Sequence, residues 1–253
     1  MRCTLLRLVC AVLVALTLTA CDPVNAGTEP GGNASSAGKP SAANGTPTGR
    51  PPSPSAAAAN SAVPKSYEHD LDVAFATVVE FWKERFAEDG RTFRPVSRIV
   101  PYTSGNGPKC GQEKLGARNA AYCGGGPNDF IGYDTAWLRT QWQQIGDTFV
   151  YFLVGHEYAH AAQLQLDLSS SYTIQHELQA DCFAGAYLGT SVDEHRLTLD
   201  DGDLEELFNG IATVGDGEGV GWLDAGAHGA ALERRAAFFA GYFTSAGTCT
   251  TKF

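Results

Sequence analysis

His156-Glu157-Tyr158-Ala159-His160 sets two imidazoles and a carboxylate at a spacing with a chemical use. On a helix, positions i and i+4 share one face, a turn apart. Two imidazoles so placed can hold one Zn²⁺ ion at about 2.0–2.1 Å each. Glu157 then lies beside the ion without ligating it, placed to take a proton from a water that the ion polarises. Seventeen residues beyond His160, Glu177 and Asp181 form Glu-x-x-x-Asp, again i and i+4. Glu177 is the expected third ligand. Asp181 is the expected hydrogen-bond partner of a ligand ring, because a metal-bound His usually donates its other N–H to a carboxylate or carbonyl. Two His and one Glu leave the fourth tetrahedral position to water, the pattern of a catalytic site with one Zn²⁺ per chain. Two alternatives stay open: His176 as a ligand, though on a helix it points about 100° away from Glu177, and Asp181 as a direct ligand.

The elements that carry these residues are legible in outline. Phe149, Phe152, Leu153, His156 and His160 follow a helical spacing, so a mostly buried helix is expected over 147–166, with Asp147 as its N-cap. Leu71, Phe75, Val78, Trp82 and Phe86 fit the stripe of an opening amphipathic helix that packs on the core. Thr92 to Tyr102 and Asp129 to Asp134 lean towards strand. Residues 65–253 are enough for one globular domain with a full core. No internal repeat is present.

Gly146-Asp147, His156-Glu157-x-x-His160-x-x-Gln163, Glu177-Leu178-Gln179-Ala180-Asp181-Cys182-Phe183-Ala184-Gly185 and His228-Gly229-x-x-x-x-Arg234 occur in an order and spacing that resembles the neutral zinc metallopeptidase family of bacteria, over residues 100–249. Gly202 to Glu206 and Val214-Gly215-Asp216 resemble a further family segment, which usually ends Gly-Asp-Asp; here Gly217 stands last. Ala159 replaces the Gly that the family often has before the second His, with little change of volume. The resemblance implies an α+β, zincin-like domain, mainly helical with a small sheet above the active-site helix, that hydrolyses peptide or protein substrates. In zincins a strand above that helix pairs with extended substrate, and Phe130-Ile131-Gly132-Tyr133 is the candidate. The resemblance also aligns His228 and Arg234 with the family's C-terminal motif. His228 is then a candidate catalytic residue beside Glu157, donating to the oxyanion from across the cleft; its other reading is a helix-start residue with local hydrogen bonds. Arg234 is expected to pair with a carboxylate.

Location is read from the first 64 residues. Met1-Arg2 and Arg7 form a positive start, and Leu8 to Ala20 is an apolar run of thirteen residues, too short to span a bilayer and suited to a signal peptide. It ends Leu18-Thr19-Ala20-Cys21, which resembles a bacterial lipobox with Cys21 as the lipidated residue. Residues 1–20 are thus expected to be a lipoprotein signal, and residues 21–64 a lipidated Cys followed by a tether rich in Ala, Gly, Ser and Pro. Such a tether cannot bury enough apolar surface to fold; it reaches on the order of 35 Å root-mean-square. The expected partner is the cytoplasmic membrane, with the domain outside it. Asn33-Ala34-Ser35 and Asn44-Gly45-Thr46 match a glycosylation pattern but carry no weight in a bacterial lipoprotein.

Cys110, Cys123, Cys182 and Cys249 remain, an even number in an oxidising compartment. Three pairings are possible. Cys110–Cys123 would close a short Gly-rich loop, leaving Cys182–Cys249 to tie the C-terminal tail to the Glu177 helix. A second zinc at these four is the rival, though none is spaced Cys-x-x-Cys. The net charge of −10 argues against nucleic acid and against a polybasic membrane patch. The expected protein is a membrane-anchored zinc endopeptidase. Its alternatives are a catalytically silent envelope protein that keeps the fold as a binding module, and a zinc hydrolase acting on something other than peptides.

Overall fold

The computed structural model describes residues 66–170, 172–216 and 228–253. The expected signal, Cys21, the tether and Gly217 lie outside them. The order is α1 (Tyr67–Glu88), β1 (Arg98–Tyr102), β2 (Lys109–Cys110), β3 (Glu113–Lys114), β4 (Ala120–Cys123), β5 (Phe130–Asp134), α2 (Thr135–Ile145), α3 (Asp147–Gln165), α4 (Thr173–Asp193), α5 (Asp203–Thr213), α6 (Ala231–Tyr242) and α7 (Ala246–Lys252). This is an α+β architecture in which helices dominate, as expected. No helix of the described residues is long and apolar enough to cross a membrane.

Helix α3 is the axis of the core. From Asp147 to Gln163 every residue but His160 is buried, and α1, α2, α4, α5 and β4 pack around it. A helix buried on all sides needs apolar or small residues all round, and Phe149, Val150, Phe152, Ala159, Ala161 and Ala162 supply them. Of the α1 stripe, Leu71, Val78, Trp82 and Phe86 are buried and Phe75 is half-buried against the core; Phe81, outside the stripe, is buried as well. Trp82 meets Phe183 of α4 edge-on, ring centres 5.2 Å apart.

Three local expectations are corrected. Asp147 is not the N-cap of α3. Gly146 holds that place at φ 123°, a backbone region that favours glycine. Asp147 is instead the first helical residue, where the helix dipole favours a negative charge. The β-leaning stretch from Thr92 becomes a strand only at Arg98. Before it, the Arg94 backbone is taken by the Gln165 side chain, and Pro95 has no N–H to give a sheet. Finally, β5 is not a free strand for substrate. The sheet order is β1-β5-β4, with β1 parallel and β4 antiparallel to β5, so both its edges are paired. The two edge strands are β1 and β4; β4 is the one that packs on α3, and among the described residues nothing pairs with its outer side as a strand.

Helices α4 and α6 approach closely. A Cβ at Gly185 would come within 1.9 Å of the Phe238 carbonyl oxygen, and one at Gly241 within 1.8 Å of the Cys182 carbonyl oxygen. This contact brings Arg234 of α6 alongside Asp181 of α4.

Both expected disulfides form, Cys110–Cys123 and Cys182–Cys249. The first closes a separation of 13 residues, the second one of 67. By loop-closure entropy they contribute about 3 and about 4 kcal/mol. Replacing Cys182 and Cys249 together by Ala is therefore expected to lower the melting temperature by about 10 °C, and more than the same change at Cys110 and Cys123. Thermal unfolding of the two double variants checks this, and a reversed order would contradict it.

Candidate metal centre

His156 and His160 stand one turn apart on α3, and Glu177 comes from the first turns of α4. One donor atom from each lies within 4.8 Å of the others. The His156 and His160 Nε2 atoms are 3.2 Å apart. The Glu177 carboxylate lies 3.2 Å from His156 Nε2 and 3.6 Å from His160 Nε2.

Each ring has its other nitrogen engaged. His156 Nδ1 lies 2.8 Å from Asp181 Oδ1, and His160 Nδ1 lies 2.8 Å from Gln163 Oε1. Both partners accept, so each Nδ1 carries a hydrogen, and the Nε2 of each ring is the atom turned towards the other. Two lone pairs and a carboxylate converging on one point are unfavourable unless a cation lies among them. Two nitrogens bound tetrahedrally to zinc at about 2.0–2.1 Å would stand about 3.3 Å apart, close to the spacing observed. The residues fit a zinc ion.

The electrostatics agree. Burial favours the neutral form of His156, but hydrogen bonds to Asp181 and Glu177 outweigh it and raise the pKa to about 10. Burial alone would raise the Glu177 carboxyl, yet His156 and His160 hold it well below the usual range. Asp181 is also lowered against its burial, chiefly by Arg234. Arg234 Nε and Nη2 each donate to Asp181 at 2.8 Å, and Nη1 donates to the Val214 carbonyl at 2.6 Å.

The open alternatives resolve geometrically. The His176 ring stacks on that of His160 at 5.4 Å, and its nitrogens are not among the converging donors. Asp181 sits behind His156, on its Nδ1 side, occupied by Arg234.

Glu157 faces the other way round α3, towards the sheet. Its Oε2 accepts from the Tyr122 amide of β4 at 2.6 Å. Tyr122 is itself held, its hydroxyl donating to Asp129 at 3.1 Å. Burial would raise the Asp129 carboxyl, but donors from Arg94, Ser97 and Tyr122 bring it down to about 2. His228 is half exposed; its amide and that of Gly229 donate to Asp216 Oδ2 at 2.5 and 2.7 Å. His156, Glu157, His160, Glu177, His176, Tyr122, Arg234 and His228 all line one open cleft of about 910 Å³.

The sequence profile of the family described as "Putative neutral zinc metallopeptidase" matches residues 41–252. The chain belongs to this family. Among curated proteins it is 26% identical over 193 residues to the Escherichia coli (strain K12) protein named "Uncharacterized protein YpfJ", and equally to the protein of that name in a second strain of the species. The match covers 67% of this chain and 66% of the relative, so the chain spans just under two thirds of the curated relatives' length. No solved structure matches it.

Two contacts of the site have no signal in the motif itself. Gln163 stands in the motif three residues beyond His160, but its hydrogen bond to the His160 ring is seen only in the structure. Tyr122 meets Glu157 across 35 positions of chain, and no local pattern announces such a contact. Asp181→Asn is expected to weaken zinc binding about 10–100-fold by releasing His156. It should also cost the metal-free protein about 3–5 kcal/mol, because Arg234 is left buried without its counter-charge. Chelator competition and urea unfolding read the two effects. Total loss of zinc with unchanged stability would make Asp181 a ligand rather than a support.

Proposed function

We propose that this protein is a zincin-like metalloendopeptidase with one zinc held by His156, His160 and Glu177, working outside the cytoplasmic membrane. The observation that carries the reading is the convergence of three cation donors in an open cleft, with Glu157 beside them under the free edge of β4. Family membership supports the peptidase class. A zinc ion bound there supplies Lewis acidity, polarising the scissile carbonyl and bringing the pKa of a water towards about 7.

The chain's own residues do the rest. Ladder bonds alternate along an antiparallel pair. The Asn119 carbonyl faces β5, accepting from Asp134, while the Tyr122 amide faces Glu157. Ala120, two residues before Tyr122, therefore turns its backbone groups the same way, into the cleft that it lines. An extended peptide can add to this edge by main-chain hydrogen bonds. The Tyr122 N–H fixes the Glu157 carboxylate. Glu157 takes the proton of the attacking water and returns it to the leaving amine. His228, across the cleft, donates to the carbonyl oxygen as negative charge grows on it; Asp216 grips its backbone and lies 3.5 Å from its Nδ1.

Anchoring follows from the lipobox reading of Cys21, with residues 22–64 as the tether to the membrane. The two disulfides suit an oxidising compartment.

Zinc analysis of the wild type and of His160→Ala tests the metal, with about one ion per chain expected for the first; equal zinc in both would remove the site. Glu157→Gln should keep its zinc and lose turnover of unfolded protein by several orders of magnitude, and undiminished cleavage would take the base role from Glu157.

His228→Ala separates two roles. As a donor to the transition state, its loss should slow turnover about 10²–10³-fold with zinc content and melting unchanged. An active variant that melts lower would leave His228 a purely local role.

A further inference from the structure

The two ligand rings are held by unlike partners. Behind His156 stands the charged Asp181. Behind His160 stands a chain of neutral amides that crosses three helices. Gln163 Oε1 lies 2.8 Å from His160 Nδ1. Gln163 Nε2 donates to the His176 carbonyl at 2.8 Å and to Gln179 Oε1 at 2.9 Å. Gln179 Nε2 donates to the Cys249 carbonyl at 3.1 Å. Gln163 is fully buried and Gln179 nearly so, at 0% and 3% exposure, so water cannot replace these bonds.

The polarity of this chain is not a matter of choice. A backbone carbonyl only accepts. The Cys249 carbonyl therefore fixes the nitrogen end of Gln179, whose oxygen must face Gln163. The His176 carbonyl independently fixes the nitrogen end of Gln163. Gln163 is left presenting oxygen to His160, and an oxygen there requires the imidazole hydrogen on Nδ1. Its Nε2 lone pair is then forced towards His156 and Glu177. The far end is secured in turn, since Cys249 is bonded to Cys182 of α4.

We propose that Gln163 and Gln179 are positioning residues that hold His160 in the metal-binding tautomer, with Gln179 acting through Gln163. This rests on the reading that His156, His160 and Glu177 bind zinc. Neutral amides orient the ring without adding negative charge to a site that already holds Glu177 and Asp181.

Two measurements on the folded protein test it. Nitrogen NMR of the His160 ring in zinc-free protein locates the hydrogen whether or not metal binds. It is expected on Nδ1 in the wild type, on Nε2 in Gln163→Met, and again on Nδ1 in Gln163→Glu, which keeps an acceptor at that nitrogen. Chelator competition then gives zinc affinity. Gln163→Met should weaken it about 10–100-fold. Gln179→Met should weaken it less, and the double Met variant should match Gln163→Met within about twofold, the ordinary error of additivity. A hydrogen that stays on Nδ1 in Gln163→Met, or moves off it in Gln163→Glu, overturns the role of Gln163. Losses that multiply in the double variant overturn the dependence of Gln179 on Gln163. A wild type that binds no zinc, yet shows the expected ring hydrogens, would refute the metal reading and leave the amide relay standing.

Discussion

The Asp181 carboxylate carries two demands at once. One oxygen takes the His156 Nδ1 hydrogen and an Arg234 hydrogen; the other takes the second Arg234 hydrogen. Three helices meet at this group: α3 brings the ring, α4 the carboxylate and α6 the guanidinium. Burying such a pair is a poor way to gain stability, because desolvation of the charges can exceed their attraction. What it supplies is direction. A fully charged, doubly fixed acceptor leaves the His156 ring one orientation, with Nε2 turned to Glu177 and His160. The contact at Gly185 and Gly241 is what admits the guanidinium, since any larger side chain there would push α6 off α4. Two glycines with no chemistry of their own thus let Arg234 reach the carboxylate that orients the His156 ring.

The parts of this arrangement that were readable in the sequence are those that repeat at helical spacing. His156 with His160, and Glu177 with Asp181, each lie one turn apart, and a helix converts that spacing into a shared face without reference to the rest of the molecule. The end of α3 near Gln165 and the packing stripe of α1 were legible for the same reason. That four cysteines are left to pair was legible; which of the three pairings forms was not. What could not be read is whatever depends on two elements meeting. A five-residue apolar strand looks alike at the centre or the edge of a sheet, so its pattern does not show that both sides of Phe130 to Tyr133 are paired. Asp is the commoner cap, but the chain enters α3 through a backbone conformation that only Gly146 adopts cheaply.

The cleft is built of two unlike halves. Its floor is helical and its side chains are locked by buried charges and amides. Its roof is a strand edge that offers backbone groups, and it is tied to the floor at the Tyr122 amide. That amide meets Glu157, the residue that would handle the proton, rather than any of the converging metal donors. The separation has a physical logic. The two rings that could hold a metal ion are fixed by buried networks. Glu157 has a looser hold, one backbone amide at one oxygen of its carboxylate. The support of Tyr122 by Asp129, and of Asp129 by Arg94 and Ser97, carries that orientation back to the loop before β1. The position of Glu157 against an incoming chain is therefore set by the same strand that the chain would join. On the proposed function, binding at the edge and alignment of the base would be one geometric event.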